Sequence, residues 1–400
     1  MRHLYIHLPY CSRKCIYCDF YSEGARRADW SALRRGLLRE LACASRDGFL
    51  TTGEYARPCE TLYLGGGTPS LMPAEELGAL LTLPGVSFAP GAERTIEVNP
   101  DDVTQERFDA WRKLGFNRFS MGVQSFSDAE LRLIGRRHTA AQAREACAVL
   151  ARSGNLSIDL IFGLPGQTRR QWCESVAEAI ALRPQHISAY ALMVEDGTPL
   201  SVMLRQKRLS LIPEEESEAM YLYLVAALRS AGYEHYEISN FALPGFRSRH
   251  NSSYWSGEPY LGLGPAAHSY DGLRRRRANL PDLRAYNAVF ASGERGGNEV
   301  GNTCPGENAF DCAAAASVRE EEYLGEEELR DEFIMCRMRT REGIPLPAFR
   351  DRFGEESLRR LLKAVRPAAA DGLLQLNGES VSLTEKSLLR SDPVILELTM

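Results

Sequence analysis

Three cysteines near the start of the chain have the type and spacing of a metal-binding loop. They are Cys11, Cys15 and Cys18, within YIHLPYCSRKCIYCDFYS, residues 5–22. Closely spaced cysteine thiolates hold iron–sulfur clusters. A C-x3-C-x2-C loop can wrap three corners of a cubane cluster and leave the fourth iron free for a small molecule.

Zinc is the alternative for this motif. A structural zinc site needs four protein ligands, yet Phe20 stands where a fourth cysteine could follow. His7 or Asp19 would then have to supply the missing ligand. The spacing alone leaves both metals open, because short motifs also occur by chance.

The remaining cysteines predict no further metal site. Ten cysteines in 400 residues are too few for a disulfide scaffold, and we expect a reducing cytosol. Two of them, Cys304 and Cys312, are too irregularly placed to form a metal pair. We expect the single cysteines to be small buried hydrophobes: Cys43, Cys59, Cys147, Cys173 and Cys336.

A glycine-rich turn follows the predicted strand Thr61–Leu64. It reads GGGTPS, from Gly65 to Ser70. It is not a P-loop, which ends in Gly-Lys-Ser/Thr, and Ser70 breaks the G-x-G-x-x-G pattern. A tight turn between strand and helix explains such glycines on steric grounds alone.

Polar residues also end the later strands, at Glu97, Asn99, Gln124 and Asp159. The carboxyl ends of the strands face the active site in α/β barrels. A single polar residue there is ordinarily a solvated loop start. Because three strands share the feature at the end that carries the cysteine loop, we predict one common site.

Alternating short apolar runs and amphipathic stretches must position these residues. This alternation predicts an α/β fold with parallel strands and helical crossovers. Six units suit a partial or full barrel, although an open doubly wound sheet has the same spacing. The predicted strands are Leu4–Leu8, Thr61–Leu64, Thr95–Val98, Phe119–Val123, Ser157–Ile161 and His186–Leu192. The predicted helices are Trp30–Leu41, Ala74–Leu81, Thr104–Leu114, Ala140–Arg152 and Arg169–Leu182.

The composition is that of a large soluble protein. With 44% hydrophobic and 25% charged residues, the chain can bury a sizeable core. A net charge of −5 argues against nucleic acid as a partner. No apolar run is long enough to cross a bilayer and no secretory signal opens the chain, so we expect a cytoplasmic protein.

The pattern changes beyond residue 195. A helix is predicted near Pro213–Ala231, and loops with short strands over Tyr233–Tyr270. Residues 293–318 look like an irregular insertion. Helices Glu326–Arg339 and Leu358–Asp371 are then followed by a hairpin, Leu373–Leu383, with Asn377-Gly378 at its turn. Helices followed by a hairpin are typical of a winged-helix module.

The cysteine motif resembles that of the radical S-adenosylmethionine (SAM) superfamily. There, C-x3-C-x2-C binds a [4Fe-4S] cluster whose open iron takes the amino and carboxylate groups of SAM. Tyr17 matches the aromatic residue that usually precedes the last cysteine. The resemblance also implies that the backbone of the glycine turn pairs with the SAM amino group, which would exclude side chains there.

Further motifs narrow the resemblance to the oxygen-independent coproporphyrinogen dehydrogenases and their HemW-type heme-chaperone relatives. It covers residues 1–290 and 320–390. The motifs are TIEVNP (95–100), GVQSF (122–126), DLIFGLPGQT (159–168), Ala189–Val194 and HNSSYW (250–255). The resemblance implies these SAM contacts: Tyr5, Tyr17, Gly67, Thr68, Glu97, Gln124, Arg136, Asp159 and Ala191.

Two features favour the chaperone branch. The dehydrogenases have a further cysteine two residues after the third, where this chain has Phe20. They also have an N-terminal extension before the cluster, whereas Cys11 is the first cysteine here. The resemblance therefore implies a carrier that binds heme and passes it to an acceptor protein. Radical decarboxylation of coproporphyrinogen III is the alternative, and we assign no catalytic residue.

His250, in HNSSYW, is the candidate heme ligand. Imidazole is a common axial ligand of heme iron, and Tyr254 and Trp255 could contact a flat macrocycle. The alternative is a hydrogen-bonded structural histidine. Many relatives have a cysteine two positions earlier, where this chain has Ser248.

Four consecutive arginines, Arg274–Arg277, stand out in an acidic chain. Such runs are usually solvated, but these could instead pair with heme propionates.

These observations predict four segments. They are a radical SAM partial (β/α)6 barrel over residues 1–200, a barrel extension carrying HNSSYW over 201–292, the insertion over 293–318, and a winged-helix-like domain over 319–400. Expected partners are heme, an unidentified acceptor protein and an electron donor, with a membrane-associated acceptor left open. We expect a monomer or a heme-linked dimer.

Overall fold

A twelve-stranded mixed sheet forms the centre of the molecule. The computed structural model describes residues 2–46, 49, 57–291 and 312–399. The strands of the sheet are β1 His3–Leu8, β2 Cys59–Gly66, β3 Phe88–Val98, β4 Arg118–Gln124, β5 Leu156–Phe162, β6 His186–Ala191, β7 Glu234–Glu237, β8 Asn240–Ala242, β9 Tyr260–Leu263, β10 His268–Tyr270, β11 Arg275–Asn279 and β12 Arg319–Tyr323. Their spatial order is β12-β11-β10-β9-β1-β2-β3-β4-β5-β6-β8-β7.

Helices cover this sheet and build a smaller C-terminal module. They are α1 Trp30–Arg46, α2 Ala74–Leu80, α3 Gln105–Lys113, α4 Asp128–Leu133, α5 Ala140–Leu150, α6 Arg169–Leu182, α7 Pro199–Arg205, α8 Glu214–Ser230, α9 Arg249–Ser256, α10 Leu283–Phe290, α11 Glu326–Met338, α12 Leu346–Ala370 and α13 Ser391–Leu396. No described helix combines the length and apolar character needed to span a membrane.

The predicted α/β alternation is confirmed. Strands β1 to β6 pair in chain order, each neighbouring pair is parallel, and helices α1 to α6 lie between them in the sequence. Within the described ranges the outermost strands, β12 and β7, do not pair with each other. The six units therefore form a partial barrel within an open sheet.

Alternation along β1 separates the apolar core from the polar interior. Leu4, Ile6 and Leu8 are completely buried and belong to the main core. Tyr5 and His7 point to the opposite face, where the Tyr5 hydroxyl lies 3.1 Å from His7 Nδ1. Because successive side chains of a strand point to opposite faces, one face binds the helices and the other is free for polar side chains.

Helix caps fix two of the crossovers. Thr139 and Gln142 form a capping box at the start of α5, and Thr168 and Gln171 form an equivalent box at α6. Gly154, just beyond α5, has a φ of 73°. This left-handed conformation is one that glycine adopts without strain.

The second half of the sheet is antiparallel and contains a helix missed by the sequence prediction. β9 pairs with β1 in parallel, and β10, β11 and β12 follow in antiparallel order. The sequence predicted loops and short strands here, but the structure also contains helix α9, which carries HNSSYW. The Ser248 side chain caps it by accepting a hydrogen bond from Asn251 N, a signal that the sequence contained.

The C-terminal module has its own apolar core. That core includes Met338, Ile344, Phe349 and Val365. The predicted helix Leu358–Asp371 begins earlier, because α12 starts at Leu346 and is interrupted at Gly354, where φ is 85°.

The predicted C-terminal hairpin is confirmed. Strands β14 Leu374–Leu376 and β15 Ser380–Leu383 pair antiparallel, and β13 Ile344–Pro345 adds a third strand. Gly378 in the turn has a φ of 90°.

Most of the predicted insertion, residues 293–311, lies outside the described residues. From Cys312 to Val318 the chain forms a short 3-10 helix that leads into β12. Cys312 forms a disulfide with Cys43 on α1, with a Cα–Cα distance of 5.6 Å. Cys43 is buried, as predicted, but the prediction that it is a single cysteine is wrong. The pair has a sequence separation of 269, so no local spacing signals it.

A buried carboxylate joins α1 to the antiparallel half of the sheet. Glu40 accepts hydrogen bonds from Gly264 N at 2.8 Å, Asn279 Nδ2 at 2.7 Å and the Tyr286 hydroxyl at 2.6 Å. It also forms an ion pair with Arg319 at 3.0 Å, and both side chains are almost fully buried. Each of these four donors would lose one acceptor if Glu40 were removed.

We expect Glu40→Ala to lower the free energy of unfolding by about 3 kcal/mol or more, because it breaks the buried ion pair with Arg319 and removes an acceptor from three further donors. Urea denaturation measures this loss. Glu174→Ala is the control, since its ion pair with Arg170 is largely exposed and should contribute little. Equal stability of Glu40→Ala and the parent would contradict the prediction.

Candidate functional site

The three-cysteine loop leaves the carboxyl end of β1 and is held at several points. Tyr10–Cys11 pairs in parallel with Glu23–Gly24 and closes the loop at its base. Inside it, Cys18 N donates to Cys15 O at 3.3 Å, and Ile16 N donates to Ile134 O at 3.2 Å. The loop therefore presents its cysteines from a fixed backbone.

The environment of the thiols suits an iron–sulfur ligand set. Cys11, Cys15 and Cys18 are half-buried and unbridged. Arg136 Nη1 lies 3.6 Å from Cys15 Sγ, and Thr68 Oγ1 lies 3.4 Å from Cys11 Sγ. In the described part of the chain, no three His, Cys, Asp or Glu side chains gather closely enough to hold one metal ion. A cluster, whose irons occupy separate corners, takes thiolates that are further apart.

The glycine turn packs directly against the base of the cysteine loop. Gly67 N donates to Leu8 O at 2.9 Å, and Thr68 N donates to Tyr10 O at 2.8 Å. A Cβ atom on Gly67 would lie 2.6 Å from Tyr10 O, which is too close for any side chain. Close backbone contacts within the chain thus explain why this position is glycine, in agreement with the steric explanation of the turn.

Glu97, at the end of β3, lies beside the same turn. It accepts hydrogen bonds from the Tyr63 hydroxyl at 2.8 Å and from Gly66 N at 3.2 Å. Burial raises the pKa of Glu97 to about 7. This carboxyl group would therefore exchange a proton easily near neutral pH.

Arg136 connects the strand ends to the cysteine loop. Its Nη2 donates to Asn99 Oδ1 at 2.7 Å and to Gly122 O at 2.6 Å, while Nη1 points to Cys15. Its Nε is buried and has no hydrogen-bond partner in the described residues. Gln124 lies nearby with a φ of 68°, a conformation that a non-glycine residue adopts only at a cost.

The other predicted SAM contacts lie along the same strands. Asp159 on β5 is paired in register with Ser188 on β6, and burial raises its pKa to about 6. Ala191 is the last residue of β6. Tyr17 packs against a small apolar cluster that contains Ile134. The contacts bring Thr68, Asn99, Arg136 and two of the cysteines together; the SAM-binding roles of the set stay a prediction.

His250, on α9, is buried, and its side chain faces the strands. Its Nδ1 is 2.7 Å from Thr61 Oγ1, and its Nε2 is 2.8 Å from the Tyr254 hydroxyl. The ring stacks on Tyr63 at 5.1 Å between centroids. Burial lowers the pKa of His250 well below its usual value, so the imidazole is neutral. Both ring nitrogens have partners, as in the structural alternative.

Arg118 is a buried interior charge that the sequence analysis missed. It starts β4 and is 1% exposed, and its Nε and Nη1 have no hydrogen-bond partner in the described residues. Its charge contributes to lowering the pKa of His186 and of His250. An arginine immediately before the apolar run Phe119–Val123 was the available signal.

Comparison with known proteins reveals a full-length resemblance. The model of the Radical SAM superfamily matches residues 5–179, and that of the HemN C-terminal domain matches residues 324–390. "Heme chaperone HemW" of Mycobacterium tuberculosis is 33% identical over 402 residues, covering 98% of this chain and 93% of that protein. "Heme chaperone HemW" of Bacillus subtilis is 32% identical, covering 98% of both.

The chain belongs to the HemW family of radical SAM proteins. Coproporphyrinogen III oxidase (HemN) from Escherichia coli superposes with a TM-score of 0.79 at 21% identity, covering 100% of this chain and 90% of that one. This similarity shows a common fold. Membership of the radical SAM superfamily implies a [4Fe-4S] cluster and SAM, and the donor set of the cysteine loop fits such a cluster.

The four arginines are not a uniformly solvated surface. Arg274 precedes β11, and Arg275, Arg276 and Arg277 are its first three residues. Successive side chains of a strand point to opposite faces of the sheet. Arg275 and Arg277 both pair with Glu321, at 2.8 and 3.0 Å. Arg276 pairs instead with Glu332 on α11, at 2.6 Å. The solvated-face interpretation is therefore wrong for Arg277, which is 4% exposed.

A cavity of about 520 Å³ lies between the sheet, α9 and the C-terminal module. Tyr5 and His7 of β1 and Phe20 and Tyr21 of the cysteine loop form one wall. The remaining lining residues are Tyr254, Trp255, Ser256, Gly257, Glu258, Tyr260, Ala266, His268, Tyr270, Arg276, Leu329, Glu332, Phe333, Cys336, Arg337 and Arg352. Its volume is in the range of small-molecule sites.

We expect Cys11→Ala, Cys15→Ala or Cys18→Ala to remove the brown colour of anaerobically purified protein, because each would lose one cluster ligand. Iron and sulfide analysis and the visible spectrum measure the loss. Cys173→Ala is the control, as that cysteine lies on α6 outside the loop. Retention of full iron and sulfide content by the three loop variants would contradict the ligand assignment.

Proposed function

We propose that this protein is a heme chaperone, which binds heme and transfers it to an acceptor protein. The observation that carries the proposal is similarity over 98% of the chain to curated proteins named heme chaperones. Phe20 adds support, since it stands where the related dehydrogenases have a further cysteine. This position is 67% exposed and borders the cavity.

In this proposal the loop cysteines hold a [4Fe-4S] cluster, and the neighbouring strand ends hold SAM. When bound, the cluster would supply an electron to the sulfonium group of SAM. Arg136 keeps a positive charge beside Cys15. Its Nη2 donates to Asn99 Oδ1 and to Gly122 O, which fixes the orientation of the Asn99 amide. Thr68, with its backbone fixed to Tyr10 O, orients a hydroxyl towards Cys11.

The remaining SAM contacts follow the same logic. Glu97 on β3 and Asp159 on β5, whose pKa values are raised by burial, offer two carboxyl groups inside the protein. Gln124, Tyr5, Tyr17, Gly67 and Ala191 complete the proposed SAM-contacting set. An electron donor for the cluster and an acceptor for the heme are the implied protein partners.

Radical decarboxylation is the second candidate function. The fold shared with Escherichia coli coproporphyrinogen III oxidase and the intact three-cysteine motif are the observations that favour it. Both observations concern the core that chaperones and dehydrogenases have in common, so they do not distinguish the two. A product assay on coproporphyrinogen III distinguishes them, because only the dehydrogenase removes its carboxylates.

We expect anaerobically reconstituted protein to bind heme and to leave coproporphyrinogen III unchanged in the presence of SAM and a reductant. Mass spectrometry follows the porphyrin, and absorbance follows heme binding and its transfer to an apo-protein acceptor. Loss of two carboxylates from the porphyrin would establish the enzyme instead. Absence of heme binding by protein with an intact cluster would refute the chaperone proposal.

His250 remains our predicted heme ligand, and the geometry adds a condition. Its Nε2 can reach iron only if the Tyr254 hydroxyl, which lines the cavity, moves away. We expect His250→Ala to weaken heme binding about tenfold or more while leaving iron and sulfide content intact.

A heme titration followed by absorbance measures this effect. His268→Ala is the matched comparison, because His268 lines the same cavity and its imidazole has no hydrogen-bond partner in the described residues. Unchanged binding by His250→Ala, with weakened binding by His268→Ala, would transfer the ligand role to His268.

A further inference from the structure

The cavity beside the cysteine loop has two chemical characters. Its walls present flat aromatic side chains from the cysteine loop, α9, the strands β9 and β10, and α11: Phe20, Tyr254, Trp255, Tyr260, Tyr270 and Phe333. Phe20 exposes 67% of its surface, although an aromatic side chain is usually covered. Such walls suit a planar apolar ligand.

Three arginines line the same cavity, and they differ in their partners. Arg276 is neutralised by Glu332 at 2.6 Å. In the described part of the chain, Arg337 and Arg352 form no ion pair: no carboxylate oxygen lies within 4.0 Å of either guanidinium group. The other lining carboxylate, Glu258, pairs with Arg2 at 2.6 Å and is thus already engaged.

Arg337 is fixed in the cavity wall, and not all of its hydrogen-bond donors have an acceptor in the described residues. Its Nη2 donates to Ser256 O at 3.3 Å, and its guanidinium lies 5.4 Å from the Phe333 ring centroid. Its Nε is buried and has no hydrogen-bond partner in the described part of the chain. A buried donor without a partner is costly, and an anionic ligand would satisfy it.

Arg352 lies at the more exposed side of the cavity. Its guanidinium is 5.7 Å from the Phe333 ring centroid and 5.2 Å from that of Phe353. It hydrogen bonds to the side chain of Tyr270, which carries no charge. Phe333 therefore lies beside both arginines, which brings two guanidinium groups without a close carboxylate partner to one aromatic surface.

We propose that this cavity is the heme pocket, with Arg337 and Arg352 binding the two propionates and the aromatic walls covering the macrocycle. This assignment rests on the proposed chaperone function. A flat dianion matches both characters of the site, because its ring contacts the aromatic walls and its two carboxylates pair with the two arginines that lack a carboxylate partner. The run Arg274–Arg277 contributes only Arg276 to the cavity, so it is not the propionate site.

The position of the cavity gives the assignment a structural consequence. Its walls come from the cysteine loop, the antiparallel half of the sheet and the C-terminal helices α11 and α12. Bound heme would therefore contact the cluster-bearing loop on one side and the C-terminal module on the other.

The test compares Arg337→Gln, Arg352→Gln and the double variant with the parent, using ferric heme and heme dimethyl ester as probes. We expect each single change to weaken heme binding about tenfold, because each removes a charge-assisted hydrogen bond to a carboxylate. Binding of the dimethyl ester, which has no carboxylates, should be the same for all proteins. Arg350→Gln is the matched control, since Arg350 lies on the same helix and pairs with Asp351 outside the cavity.

Parental heme affinity in the double variant would overturn the pocket assignment while leaving the chaperone function intact. An equal loss for heme and for its dimethyl ester would also overturn it, because the arginines would then act through folding rather than through carboxylates. Failure of the parent itself to bind heme would refute the proposed function, and the pocket with it. Iron and sulfide content, measured in every variant, reports whether the neighbouring loop has kept its structure.

Discussion

The close approach of two backbone segments is the constraint on which the site depends. Where β1 leaves the sheet, the carbonyls of Leu8 and Tyr10 accept hydrogen bonds from Gly67 and Thr68. A Cβ on Gly67 would collide with Tyr10 O, so the contact forms only because the turn is made of glycine. This contact fixes the start of the cysteine loop to the end of β2, and Arg136 then connects that loop to β3 and β4. Main-chain contacts and the Arg136 side chain thus position the thiols.

Much of this architecture was predictable because its signals are local. Apolar periodicity identified all six parallel strands, and it placed the start of the helix at Ala140, where α5 begins. The cysteine spacing and the strand-end polar residues likewise identified the region where Cys15, Asn99 and Arg136 meet. Parallel strands end at the same edge of a sheet, so residues distant in sequence can be placed together from the alternation alone.

The features that were missed depend on long-range contacts. The Cys43–Cys312 disulfide and the four-donor environment of Glu40 join segments more than two hundred residues apart. The arginine run appeared uniform in sequence, yet pairing with β12 and α11 gives Arg276 and Arg277 different roles. His250 shows the same limit: its motif suggested a ligand, but only packing reveals that Tyr254 stands between its ring and the cavity. Helix α9 was missed for a different reason, since its cap, Ser248, was read only as a replaced cysteine.

An open sheet has a chemical consequence that a closed barrel avoids. Among the described residues β12 is the outermost strand at one edge of the sheet, and another chain could extend such an edge, which is a common route to aggregation. The sequence of β12 is REEEY, and its three consecutive glutamates are exposed. One of them, Glu321, is partly neutralised by Arg275 and Arg277, whereas two copies of this strand brought side by side would place like charges next to each other. The strand that neutralises the internal arginines therefore also protects the free edge of the sheet against polymerisation.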